Sequence, residues 1–150
     1  MQLENLNISH AGEHYVGFTF IELPLDAARQ AAVVQIDAAA NQARVAVVGD
    51  PLRAFEYQLA ETEARRFTEQ SYQGEAPRAV RAWAMASGIS DQQAAQAILE
   101  KASAWITALH VIRETRLLAK QAVFKADSHV EVQSIADKAL VSFPSMPLDI

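Results

Sequence analysis

The chain of 150 residues contains no cysteine. That excludes disulfides, thiol nucleophiles and any Cys-ligated metal or iron–sulfur centre. Glycine and proline are sparse, with 5 of each, so few interruptions of regular structure are expected. Cations are outnumbered, 13 Lys and Arg against 18 Asp and Glu, and the net charge of −5 argues against non-specific nucleic-acid binding. Apolar runs extend only a few residues, so no membrane span is expected. The first ten residues, MQLENLNISH, have neither the basic nor the apolar part of a leader peptide. The expectation is a soluble intracellular domain. No glycine-rich phosphate loop is present, since Gly49-Asp50-Pro51 lacks that pattern, and no cofactor is expected.

What the chain has in excess is alanine, about a fifth of all residues. Alanine is the strongest intrinsic helix former, and its small side chain lets helices approach closely. A mainly α protein follows: an N-terminal β-hairpin (residues 1–22), an elongated bundle of about five helices, two of them long (23–142), and an extended apolar tail (143–150). The hairpin is read from Leu3, Leu6 and Ile8, a turn at His10–Glu13, and the β-rich run Tyr15–Ile21. A lone hairpin is marginal in water, so it must pack on the helices or pair with another chain.

The first helix begins near Leu25, carries the stripe Leu25, Ala28, Ala32, Ile36, Ala39, Ala43 and Val47, and stops at Gly49. Asp50-Pro51 restarts the chain, with Asp as N-cap and Pro in the first turn. Tyr57, Ala60, Ala64 and Phe67 form one stripe of this second helix, and Leu52, Phe55 and Leu59 form another. A short helix runs from Pro77 to Ser87, closed by Gly88. Ser90 and Gln93 make a capping box. The helix it opens meets no Gly or Pro until past Ala126, so it is roughly 50 Å long. Its apolar stripe is Ile98, Ala102, Trp105, Leu109 and Ile112, continued by Leu118, Ala122 and Val123. Ser128 and Glu131 form a second capping box before the last helix.

His10-Ala11-Gly12-Glu13-His14 fits the H-x-x-E-H pattern of inverted zincins. That chemistry needs both histidines one helical turn apart, whereas here the pentad lies between two strand-like segments, so a polar turn is the reading. His110 and His129 are isolated and have no adjacent nucleophile. Asp26, Asp37, Asp50, Glu61, Glu63 and Glu69 read as solvated charges or caps rather than catalytic pairs. Arg113, Arg116 and Lys120 form a basic stripe suited to ion-paired packing on acidic helix faces. No constellation points to an enzyme. Trp83 and Trp105 are the largest anchors, either for the core or for an interface. Phe143, Met146, Leu148 and Ile150, on a proline-punctuated tail, either fold back on the bundle or dock on a partner.

Several segments carry a family resemblance, from about Asp26 to Val123: Ile36–Ala40, Phe55-Glu56-Tyr57 with Glu61–Phe67, Val80–Ala84, Ala94–Ile98 with Trp105, and Ile112–Leu117. In order and spacing they resemble the alanine-rich helical proteins found beside tail-fibre genes in tailed bacteriophages. The resemblance implies a non-enzymatic role. One form is an assembly chaperone that binds the tail-fibre protein and covers its apolar or unpaired-strand surface during trimerisation. The alternative is a structural virion component at the fibre or baseplate. It implies the host cytoplasm during assembly, or the virion tail, as location. No catalytic or metal-ligating residue carries over. The expected partner-binding residues are Phe18, Phe20, Trp105, Phe143, Met146, Leu148 and Ile150, and the expected partners are the tail-fibre protein and a homo-oligomer.

Overall fold

The computed structural model describes residues 1–144. The order of elements is β1 (Leu6–His10), β2 (Glu13–Phe18), a 3-10 turn (Phe20–Glu22), α1 (Leu25–Val48), α2 (Pro51–Glu69), α3 (Arg78–Ser87), α4 (Asp91–Lys125) and α5 (His129–Ser142). The fold is mainly α, with one N-terminal hairpin, five helices, and α1 and α4 the long ones. The tail residues Met146, Leu148 and Ile150 lie outside the described residues.

Local chemistry sets the boundaries. Asp50 caps α2 by accepting from the Leu52 N–H at 2.9 Å. Ser90 and Gln93 close their box reciprocally, at 3.2 Å from the Gln93 N–H to Ser90 Oγ and 3.0 Å from the Ser90 N–H to Gln93 Oε1. Ser128 Oγ accepts from the Glu131 N–H at 3.2 Å. Gly88 adopts φ 66° and stops α3 in the left-handed region. The start of α3 has a different cap: Pro77 stands at its N-cap with no side-chain bond. Glu63 supplies the acceptor from α2, taking the Ala79 N–H at 2.8 Å.

In the hairpin, Ala11 (φ 51°) and Gly12 (φ 87°) form the two-residue turn. Positive φ at both centres matches the right-handed twist of the strands. The zincin-like pentad is thus strand, turn and strand, with Ser9 opposite His14 and His10 opposite Glu13. The two histidines do not share a helical face. The sequence reading carried the second strand to Ile21, but it ends at Phe18. The Thr19 N–H and hydroxyl both donate to Glu22 Oε2, at 3.0 and 2.7 Å, and wind the chain into the 3-10 turn. A bulge at Gly17 (φ 76°) shifts the register, so that Leu6 stands opposite Phe18 and its neighbour Asn7 opposite Val16.

By its packing the chain divides into two compact units. Among the described residues the first comprises Met1–Arg44 and residues 110–144, and the second comprises Val45–Leu109. In the first unit the hairpin is not separate from the helices. Leu6 at its base is buried, and the Phe20 N–H donates to the Leu3 carbonyl at 2.7 Å. The buried face of α1 here is Ala27, Ala28, Ala31, Ala32, Val33, Ile36, Ala40 and Ala43. On α4 the buried positions are Ile112, Ala119 and Val123, spaced for one helical face, whereas Leu118 is exposed. The expected continuation through Leu118 is therefore corrected to Ala119. The Arg29 guanidinium donates twice to the Ala126 carbonyl, at 3.1 and 2.7 Å, and satisfies the acceptor just past α4. In the second unit Ala64, Phe67, Ala76, Val80, Ala84, Ala94 and Ala95 form the core, with Phe67 edge-on to Tyr72 at 5.5 Å.

The basic stripe of α4 meets a specific acid. Arg116 Nε and Lys120 Nζ donate to the two oxygens of Asp37 on α1, at 2.5 and 2.8 Å. Asp37 is therefore an ion-pair centre and not a solvated charge. Partial burial pushes its carboxyl up, but the hydrogen bonds and positive charges of Lys120 and Arg116 outweigh that and hold it below the usual carboxylate range. A depressed folded pKa means the pairing stabilises the protein above the unfolded value of about 3.9 and is lost as pH falls through the lower folded value. Asp37→Asn is expected to cost roughly 1–2 kcal/mol at pH 7, between exposed and buried pairs. The difference from wild type should shrink when urea unfolding is repeated below pH 4. A cost unchanged at low pH would show that the charge is irrelevant.

Candidate protein-interaction surfaces

Among the surfaces of the described residues that leave apolar side chains uncovered are two, one in each unit. In the first unit the surface starts at the hairpin. It is a two-stranded sheet, so the outer edges of β1 and β2 have no neighbouring strand among the described residues. Unpaired edges present a row of backbone donors and acceptors to any extended chain. The Gly17 bulge resets the alternation of β2 and brings Phe18 onto the face of Tyr15, where the rings meet edge-on at 5.5 Å. Val16 points away and is 73% exposed. Beyond the strand, Ile21 and Val130 stand exposed on a shallow groove of about 150 Å³. The groove floor is Phe20, edge-on to the His129 ring at 5.7 Å. His129 is fixed there by a 2.8 Å hydrogen bond between its Nε2 and the Leu23 carbonyl.

The second surface belongs to α2, α3 and α4. A cleft of about 370 Å³ is lined by Tyr57 and Ala60 of α2, Trp83 of α3, and Ile98, Lys101 and Trp105 of α4. That volume falls in the range of ligand and anchor pockets. Trp105 is held by its Nε1 proton, donated to the Val47 carbonyl at 3.1 Å. The Lys101 ammonium lies 4.5 Å over the Trp83 ring. The helix α2 beside the cleft is unusual. From Leu52 to Glu63 no side chain is fully buried, and Leu52 (78%), Phe55 (71%) and Leu59 are exposed on one stripe.

The expected binding residues divide accordingly. Phe18 is exposed and belongs to the hairpin surface. Phe20 is buried at 3% exposure, because the 3-10 turn rotates it inward onto His129. Phe143 is buried as the chain turns extended after α5. Neither of these two offers free surface in this structure. Of the two readings for the tail, Phe143 follows the one in which it folds back. Trp105 is nearly buried and fixed, so it serves as a wall of the second cleft and not as a protruding anchor. The sequence reading passed over Val16, Ile21, Val130 and the α2 stripe as contact residues. The last was visible as Leu52, Phe55 and Leu59, a second apolar stripe on a helix that already had one.

Among the described residues no helix is long and apolar enough to cross a membrane, and no group of three or more His, Asp and Glu is placed to hold a metal. Comparison with family models, with curated proteins and with solved structures finds no match to this chain.

Proposed function

We propose that this protein is a non-enzymatic assembly factor that holds another polypeptide through the hairpin surface, and that this polypeptide is a phage tail-fibre subunit before it trimerises. The observation that carries the reading is the hairpin itself: two open edges with Val16, Phe18 and Ile21 exposed beside them. A fibre subunit awaiting its partners has unpaired strands and apolar surface, and both make it prone to aggregate. Strand addition to β1 or β2 satisfies the backbone, and the groove at Ile21 and Val130 accepts an apolar side chain. The tail-fibre partner comes from the resemblance of the helical segments. The strand-addition mechanism comes from the hairpin.

The test is co-expression with a phage tail-fibre protein. The fibre is expected to be insoluble alone and soluble with this protein. The double variant Val16→Lys, Ile21→Glu leaves the core untouched, because both side chains are exposed. It is expected to weaken fibre binding at least ~10-fold, the effect of losing one buried apolar contact. A fibre equally soluble alone, or equally rescued by the double variant, would overturn the reading.

A further inference from the structure

We propose that the cleft lined by α2, α3 and α4 is a binding site for a small organic carboxylate with an aromatic body, its anionic end on Lys101. Three features of the cleft carry this: the void, the rings and the cation.

The void is written into the sequence as alanine. Ala60 of α2, Ala79 and Ala82 of α3, and Ala102 of α4 all line it. Each of these side chains stops at Cβ, so three helices come together and still leave about 370 Å³ open. The walls of an unfilled void lack contact atoms on one side, and an apolar body of matching size restores them. A volume near the low end for ligand pockets suits one ring on a short chain rather than a large cofactor. The aromatic walls are formed before a ligand arrives, because the Nε1 bond to the Val47 carbonyl already fixes Trp105.

The cation stands where the helical period asks for an apolar residue. Ile98, Lys101, Ala102 and Trp105 recur at spacings of three and four, so they share the face of α4 that lines the cleft. Among the described residues Lys101 has no ion-pair partner. Its contact is the Trp83 ring, 4.5 Å from the ammonium. The ring steadies the charge but offers no lone pair to its N–H groups. A carboxylate supplies that acceptor. The acids of the cleft do not oppose it. Glu61 is held by Arg65 at 2.6 Å, and Glu56 is exposed, where water and salt screen it.

Both tryptophans of the chain line the cleft, so intrinsic fluorescence reports its occupancy. With phenylpropanoate as the probe, wild type is expected to bind with a Kd on the order of 100 µM, ordinary for so small a molecule. Phenethylamine has a similar body and the opposite charge, and should bind at least ~10-fold more weakly. Lys101→Met keeps an aliphatic stem and removes the charge. It should weaken phenylpropanoate at least ~10-fold, while uncharged phenylpropanol stays within about threefold of its wild-type Kd. Ala102→Leu fills the void and should abolish binding of all three, with helix content unchanged by circular dichroism. Three results would each overturn the proposal: the amine binding as tightly as the carboxylate, the carboxylate binding Lys101→Met as it binds wild type, or no saturable change up to about 10 mM. The cleft lies wholly in the second unit and the hairpin in the first, so these outcomes are separate from the fibre reading.

Discussion

Replacing Ile112 by alanine is expected to lower the unfolding free energy by about 3 kcal/mol, within the range for truncating a fully buried isoleucine. For a chain of this length that is a fall of roughly 10 °C in Tm. The size of the effect follows from the composition of the first unit. Its buried face on α1 is mostly alanine, so interior volume depends on a few large side chains. Leu23, Ile36, Ile112, Val123 and Val132 are the largest fully buried ones there. Alanine methyl groups have no free rotor with which to move into a vacancy, so the cavity left by Ile112 stays open. Ile112→Val should cost only about 1 kcal/mol, since a single methyl group is removed. Urea titration of both variants, with unchanged m, checks the pair. A loss under about 1 kcal/mol for the alanine variant would mean that the helices close over the gap.

Trp105→Ala is expected to be at least as severe, at about 3–5 kcal/mol. Two effects combine. The indole is 9% exposed, so most of its apolar area is lost from the interior of the second unit. Its Nε1 donor also disappears from the Val47 carbonyl, near the end of α1. Trp105→Phe separates these contributions. The ring keeps much of the packing, while the carbonyl is left without its donor, at about 1–2 kcal/mol. Urea unfolding followed by circular dichroism measures both. If Trp105→Phe proves as costly as Trp105→Ala, the hydrogen bond carries the whole effect; if neither variant moves the transition, Trp105 is not an anchor.

The helix ends were legible in the sequence because each is set by chemistry local to a few residues. Asp50-Pro51, Ser90 with Gln93, Ser128 with Glu131, and Gly88 all act within one turn of their own position. The hairpin turn is likewise contained in Ala11-Gly12. What escaped was of two kinds. Some features are local but compete: Thr19 and Glu22 form a capping box that ends β2 at Phe18, even though Phe20 and Ile21 have strong β propensity. Others join residues far apart in the chain. Asp37 lies 79 residues before Arg116 and 83 before Lys120, so its role as the acceptor for both is set by helix packing alone. Leu118 and Ala119 show the same limit. Hydrophobicity favours the leucine for the interior, but the angle fixed by Ile112 and Val123 turns Ala119 inward.

The candidate surfaces were partly legible for a similar reason. Phe18 could be placed because it falls on a strand of a hairpin with open edges. Phe20, two residues later, reads identically by composition, yet the 3-10 turn rotates it onto His129. The cleft in the second unit draws walls from three helices, and no stretch of sequence contains it.

The alanine face of α1 has one further consequence, for how this protein can vary over time. Alanine sits at a corner of the range of side-chain sizes. Any larger residue at Ala28 or Ala32 has to push its neighbours aside, and glycine loosens the helix by roughly 0.5–1 kcal/mol. Neutral drift at these sites is blocked in both directions. The outer faces carry no such constraint, so their side chains can change without altering the spacing of the helices in this unit.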